Sequence, residues 1–253
     1  MKNKFNMRKI ICLLLIAVFS GVAVFSAVNI WKNIYEANKS KESFSKVSEL
    51  VVQKEEQEPE QKKQTPADVY KDVYEKNNDF IGWLKIDGTK IDYPVMYTPD
   101  KRDYYLRRGF DGEYSYYGTP YVSERCDVKT SQNVIIYGHN MNNGTMFYDL
   151  EKYSSKDFYK NHKYITFDTL DGFGKYEIVA VFKTVVYSES EFKYFRFADG
   201  TEQEFNEYVK TCKDLSFYDT GVEVKYGDRL ITLSTCEYSQ KHGRLAVVAK
   251  KVE

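Results

Sequence analysis

The chain has 253 residues, with 37 Lys and Arg against 37 Asp and Glu, so its formal net charge at pH 7 is zero. A balanced charge without a basic tract argues against nucleic acid as a partner. The three His and four Cys show neither Cys-x-x-Cys nor His-x-x-x-His spacing, so we predict no zinc site and no other metal or cofactor.

The first 31 residues have the pattern of a membrane-spanning helix. Residues 1–9 carry four cations and no acid, and residues 10–28 then run nineteen positions without a charge. In an α-helix that length spans about 28 Å, close to the hydrocarbon thickness of a bilayer. We therefore expect a cytoplasmic basic tail at 1–9, a single-pass anchor in the cell membrane at 10–31, and the rest of the chain on the extracellular face. The alternative is a cleaved signal peptide, whose apolar core is usually shorter, about 7–15 residues.

Residues 32–64 are predicted to form a polar spacer. From Asn38 to Gln64 the sequence is rich in charged and amide side chains and offers little that could pack against a folded domain. The spacer would hold the domain away from the membrane. The remaining residues, 65–253, are enough for one domain with a substantial core.

Two helices are predicted in this domain. The first begins with Thr65 as N-cap and carries Val69 and Val73 on one face, which would lie against the outside of the domain. The second begins at a capping box formed by Thr201 and Glu204. Its apolar stripe consists of Phe205, Tyr208, Val209 and Cys212. We therefore assign Cys212 to core packing.

The rest of the domain is predicted to consist mainly of short strands. They are predicted at residues 80–86, 90–96, 118–123, 133–137, 164–168, 175–187, 229–236 and 244–249. Asp87-Gly88 is a hairpin signal between the first two. Seven or eight short strands at near-regular spacing, with few long helices, indicate a mainly β fold, either a sandwich or a closed barrel.

Cys236 ends the strand at 229–236, and Arg244 begins the strand at 244–249. Because only residues 237–243 join these strands, we expect a hairpin that places Cys236 beside Arg244. A guanidinium near a thiol favours the nucleophilic thiolate and can stabilise an oxyanion. The alternative is a cysteine that is simply a small buried hydrophobe. The hairpin alone leaves both interpretations open, because one Cys without a base is not a mechanism.

His139 is the candidate base. The strand at 133–137 is followed by Gly138, where the chain can bend, so that His139 emerges at a strand end, where sites are often built. His162 lies in a hydrophilic segment and is expected to be exposed. His242 lies between Cys236 and Arg244, and it remains a second candidate for a functional contact.

Three separate motifs give the chain a family resemblance. They are Tyr-Gly-His-Asn at 137–140 with Thr-Met-Phe at 145–147, Thr-Leu-Ser-Thr-Cys at 232–236, and Arg244. Together they resemble class B sortases, the cysteine transpeptidases that join proteins to the cell wall of Gram-positive bacteria. The resemblance covers about residues 67–253. It implies a closed sortase-type barrel with peripheral helices.

The resemblance also implies catalytic roles. Cys236 would attack the carbonyl of a Thr in a C-terminal sorting signal, His139 would protonate the leaving amine, and Arg244 would stabilise the oxyanion. The thioacyl intermediate would then pass to an amine of a peptidoglycan precursor or of a pilin. The partners would be surface proteins that carry sorting signals.

Leu106, Ser234 and Glu237 are the substrate contacts that the resemblance suggests. Arg102 stands where some relatives have Asn, so that side of the groove departs from the family pattern. Cys126 has no assigned role.

Two other functions remain open from the residues. A papain-like extracellular cysteine protease would need only Cys and His, but such enzymes generally place the Cys at a helix N-terminus. A non-catalytic scaffold domain tethered to the membrane would carry the same barrel with an inactive site.

Overall fold

A computed structural model describes residues 7–57, 64–186 and 191–253. Residues up to 41 form one compact unit and residues 42–253 form the other. Each unit is described separately below.

The described part of the first unit is the N-terminal portion of helix α1, which runs from Met7 to Gln57. The apolar side chains of its N-terminal part are exposed: Leu13 is 66%, Phe19 69% and Phe25 70% accessible. Among the described residues this is the one helix long and apolar enough to cross a bilayer by length and composition. The predicted anchor at 10–31 lies within it.

The segment predicted as a spacer is helical as far as Gln57 and is partly packed against the domain. Phe44 and Val47 are only 9% and 5% exposed, and the Phe44 ring meets the edge of the Tyr93 ring at a centroid distance of 5.1 Å. The prediction that this segment has little to pack against is therefore wrong for these two side chains. They are three residues apart and so share one helix face.

The described part of the second unit contains three further α-helices and three 3₁₀ helices. The α-helices are α2 (Pro66–Lys76), α3 (Lys156–Asn161) and α4 (Glu202–Leu215). The 3₁₀ helices span Tyr104–Arg107, Phe147–Ser154 and Tyr194–Arg196. The predicted starts of α2 and α4 are confirmed, because Thr65 and Thr201 both act as N-caps within capping boxes.

The strands form one closed barrel and one short hairpin. They are β1 (Phe80–Lys85), β2 (Asp92–Met96), β3 (Tyr121–Val122), β4 (Asn133–Tyr137), β5 (Asn140–Met141), β6 (Thr145–Met146), β7 (Tyr164–Thr169), β8 (Lys175–Val185), β9 (Leu230–Glu237) and β10 (Gly243–Lys251). The barrel order is β1-β2-β3-β4-β9-β10-β8-β7, and β5 pairs with β6. The predicted closed barrel is confirmed with eight strands, and the predicted bounds of β4 match the structure.

Helix α4 covers the barrel beside β8, β9 and β10. Its four apolar side chains are buried, as predicted, in a cluster that includes Phe182, Leu230 and Ala246. Cys212 is fully buried there, which confirms its assignment to the core. The face of β9 that carries Ser234 and Cys236 therefore also contacts this apolar cluster, through Leu230.

The segment between β6 and β7, which contains His162, is largely helical. It forms a 3₁₀ helix and the six-residue helix α3, which is too short to produce a clear apolar period. His162 follows α3 and is half-buried, not exposed. Its ring stacks on Phe158 at a centroid distance of 4.0 Å, and its Nδ1 lies 2.9 Å from the Phe158 carbonyl.

Candidate active site

Strands β9 and β10 place Cys236 directly opposite Arg244. They pair antiparallel, with Arg244 in register with Cys236 and Ala246 with Ser234. Both Cys236 and Arg244 are partly exposed, so each side chain is supported by the barrel and still reachable by a ligand. The hairpin expected from the sequence is confirmed.

His139 reaches the same end of the barrel because β4 runs parallel to β9. The last pair of this ladder is Tyr137 with Ser234. The next residue, Gly138, donates its N–H to the Ser234 carbonyl at 3.1 Å. A Cβ at Gly138 would lie 2.6 Å from the Phe147 ring, so the close approach requires glycine here. His139 therefore leaves the ladder at the level of Cys236.

A groove with a cavity volume of about 290 Å³ lies at this end of the barrel. Its lining includes all three predicted catalytic residues, His139, Cys236 and Arg244, and two of the three predicted substrate contacts, Leu106 and Ser234. Residues that are far apart in sequence thus share one surface.

The His139 ring is tied to the groove wall. Its Nε2 lies 2.7 Å from the Leu106 carbonyl oxygen, and because a carbonyl can only accept, Nε2 carries the hydrogen. Burial lowers the pKa of His139, and the cations of Arg107 and Arg244 lower it further, against the opposing effect of the Leu106 carbonyl. The neutral imidazole is therefore favoured more than in a free histidine.

The two predicted substrate contacts close to Cys236 in sequence differ in position. Ser234 is buried, and its Oγ lies 2.6 Å from the hydroxyl oxygen of Tyr194, which also lines the groove. Glu237 is absent from the described residues that line the groove. Its carboxylate accepts hydrogen bonds from Lys183 at 2.9 Å and from the Ser239 hydroxyl at 2.7 Å. Contact between Glu237 and substrate stays a prediction.

Part of the groove lining is charged. Arg102 Nε lies 3.3 Å from Asp103 Oδ2 and 3.6 Å from Glu124 Oε1, and Arg125 also lines the groove. Tyr121 donates its hydroxyl to Asp103 at 2.7 Å. The Arg102 position, noted in the sequence as a departure from the family, thus belongs to a set of ion pairs at the groove.

The other cysteine near this region is structural. Cys126 is 2% exposed, and its Sγ accepts the N–H of Ile135 at 3.4 Å. Burial raises the pKa of Cys126 to about 11, so at neutral pH it is a thiol and a poor nucleophile. His242 has a positive φ of 62° in the loop before Arg244, and its functional role stays a prediction.

Asn140 has a position that sequence reasoning did not identify. It directly follows His139, and its side chain donates to the Cys236 carbonyl at 3.0 Å. Its other amide hydrogen bond goes to Glu151. No local pattern could reveal this contact, because it joins residues 96 positions apart.

A thiol, an imidazole and a guanidinium around one groove define a candidate cysteine-dependent acyl-transfer enzyme. The sequence model of the sortase domain family matches residues 84–252. Sortase B of Listeria monocytogenes is 34% identical over 240 residues, covering 93% of this chain and 94% of the relative. Sortase B of Staphylococcus aureus is 34% identical over 180 residues, covering 70% and 72%.

The fold agrees with the sequence comparison. A solved Staphylococcus aureus sortase B-substrate complex superposes with a TM-score of 0.77 at 28% identity, covering 87% of this chain and 99% of that one. The chain belongs to the sortase family, and it resembles the class B members throughout. It is a cysteine transpeptidase.

Proposed function

We propose that the protein is a single-pass membrane enzyme that cleaves a C-terminal sorting signal after Thr and transfers the protein to an extracellular amine. The observation that carries this proposal is the convergence of His139, Cys236 and Arg244 on one groove. The similar Staphylococcus aureus structure is a substrate complex, which supports a peptide as the occupant of that groove.

In the first step the Cys236 thiolate attacks the Thr carbonyl carbon, and the carbonyl electrons move to oxygen. The guanidinium of Arg244 stabilises this oxyanion. The imidazolium form of His139 gives its proton to the leaving amine as the C–N bond breaks. The products of this step are a thioester at Cys236 and the released C-terminal peptide.

In the second step an amine attacks the thioester carbon. Neutral His139 accepts a proton from the attacking nitrogen, and the Cys236 thiolate leaves. An amide is formed and the enzyme regains its starting state. The acceptor would be an amine of a peptidoglycan precursor or of a pilin.

The location follows from α1. Its exposed apolar side chains, such as Leu13, Phe19 and Phe25, suit a lipid environment. The cations at 1–9 favour a cytoplasmic N-terminus, which would place the catalytic domain on the extracellular face.

Product analysis tests the proposal. The full chain in detergent micelles is mixed with a library of Thr-containing peptides, with and without an amine acceptor, and the thioacyl adduct and products are followed by mass spectrometry. We expect an adduct at Cys236 and an amide product that depends on the amine. Acid as the sole product would instead indicate a cysteine protease. Absence of any adduct across the library would indicate a scaffold domain.

A further inference from the structure

Asn140 joins the nucleophile to a second element of the domain. Its side chain is 3% exposed, and its Nδ2 donates to the Cys236 carbonyl at 3.0 Å and to Glu151 Oε1 at 2.5 Å. Since both partners can only accept, the orientation of the amide is fixed with Nδ2 towards them. The amide therefore bridges the end of β9 and the 3₁₀ helix that contains Glu151.

The segment before Asn140 is also attached to β9, residue by residue. Gly138 N–H donates to the Ser234 carbonyl at 3.1 Å, and the Thr235 hydroxyl donates to the Gly138 carbonyl at 2.7 Å. The contact between Asn140 and Cys236 is the next in this series. Three successive hydrogen bonds thus continue the parallel pairing of β4 with β9 beyond the end of the regular ladder.

His139 stands between the two residues that make these contacts. Gly138 precedes it and Asn140 follows it, and both are hydrogen-bonded to the stretch that ends in Cys236. The backbone of His139 is therefore fixed relative to the backbone of Cys236 from both sides. The loop after the nucleophile is held as well, because Tyr238 donates its hydroxyl to the Asn140 carbonyl at 3.0 Å.

The amide of Asn140 makes these contacts through its two N–H donors alone. Asn140 Oδ1 is buried and has no hydrogen-bond partner among the described residues. A buried acceptor without a partner is destabilising, and such groups are uncommon in native proteins. The two donors of the amide, and not its acceptor, account for an asparagine at this position.

We propose that Asn140 is a positioning residue, which holds Cys236 and His139 in the relative placement needed for thioacyl formation. This inference rests on the proposed function, because it assigns the role within that same reaction. A small displacement of a reacting group can lower a rate on the order of a hundredfold. Removal of the Asn140 side chain should therefore lower kcat for the acylation step, with little change in KM for the peptide.

Asn133 provides a matched control. It is also a buried Asn on the same segment of chain, 0% exposed, and its side chain also contacts β9, where it accepts a hydrogen bond from Thr232 at 2.8 Å. It lies at the opposite end of β4 from His139. Asn133→Ala should therefore remove buried hydrogen bonds without moving the site.

The test compares the full-length variants Asn140→Ala and Asn133→Ala in micelles, at a temperature where both are folded by circular dichroism. We expect both to unfold at lower temperature than the original protein. Only Asn140→Ala should lose kcat for acylation, on the order of tenfold to a hundredfold. An equal or smaller fall in kcat than that of Asn133→Ala would overturn the proposal.

A pair of isosteric variants separates positioning from stability. In Asn140→Asp the carboxylate faces two acceptors, and in the double variant with Glu151→Gln the Gln amide can donate to that carboxylate. The double variant should regain thermal stability but not kcat, because the Cys236 carbonyl still lacks its donor. Recovery of kcat together with stability would overturn the proposal. If the unaltered protein forms no thioacyl adduct with any peptide, the proposed function fails first.

Discussion

Leu106 holds His139 through its backbone: the imidazole Nε2 donates to the Leu106 carbonyl oxygen at 2.7 Å. The Leu106 side chain is 37% exposed at the same groove. One residue thus orients the candidate acid and base with its main chain and presents an apolar surface to a ligand with its side chain. Substitution of that side chain leaves the orienting bond available.

The lowered pKa of His139 predicts a dependence of stability on pH. Because burial lowers this pKa in the folded state, the unfolded chain binds a proton more readily, and stability falls as the pH drops below the ordinary histidine value of about 6.5. Stability is regained as the pH rises through that value. Urea unfolding between about pH 5 and about pH 7.5 measures this trend.

His139→Gln is the control for this pH effect. The Gln amide can still donate to the Leu106 carbonyl, but it does not titrate in this range. We expect the variant to lose less stability than the original protein over the same decrease in pH. Parallel curves for the two proteins would contradict a lowered pKa at His139.

Thiol labelling should distinguish the cysteines of the domain. All four cysteines are free, but Cys126 and Cys212 are buried while Cys236 is partly exposed. Burial raises the pKa of both buried thiols. In a Cys12→Ser background, iodoacetamide should therefore modify Cys236 alone in the native state and all three after unfolding. Mass spectrometry of tryptic peptides gives the result, and native labelling of Cys126 would contradict it.

Arg244 should act on the rate more than on binding. If its guanidinium stabilises the oxyanion, Arg244→Ala should lower kcat on the order of a hundredfold to a thousandfold. Arg244→Lys keeps the charge but not the planar donor set, so it should recover only part of this loss. Steady-state kinetics with a peptide substrate separate the effects on kcat and KM. A rise in KM with an unchanged kcat would assign Arg244 to peptide binding instead.

The strands and the hairpin could be predicted because their signals are local, whereas the choice of a barrel over a sandwich and the roles of the three residues came from the family resemblance. The apolar runs at 133–137 and 229–236 specify strands, and the short link between Cys236 and Arg244 requires a hairpin. The contacts from His139 to Leu106 and from Asn140 to Cys236 join distant segments and depend on the finished fold. Such long-range contacts produce no periodic pattern from which they could be predicted.

Phe44 was missed for a different reason. It recurs with Val47, Leu50 and Val51 at helical spacing, an apolar stripe that the prediction of a polar spacer overlooked because charged and amide side chains dominate the segment. Because its ring packs against Tyr93, Phe44→Ala should destabilise the domain by about 3 kcal/mol. Phe25→Ala, at an exposed position in the same helix, is the control and should leave the stability of the domain unchanged. Urea unfolding in micelles, followed by tryptophan fluorescence, compares the two variants.

Arg102 should influence which peptides are preferred. It lines the groove beside Asp103 and Glu124, and its side chain is 73% exposed, so a charged group on a bound peptide can interact with it. Charge reversal in Arg102→Glu should shift preference from acidic towards basic peptides. The ratio of kcat/KM values should change roughly threefold to tenfold, since an exposed ion pair contributes about 1 kcal/mol.

Matched peptides that carry Glu or Lys at each position N-terminal to the Thr measure this shift in preference. Raised salt should weaken it, because exposed charges are screened. Lys160→Glu serves as a control, because its charge lies in α3 and outside the groove lining. Equal changes in both variants would point to the net charge of the protein, whereas an effect confined to Arg102→Glu would locate the recognition of charge at the Arg102 side chain in the groove.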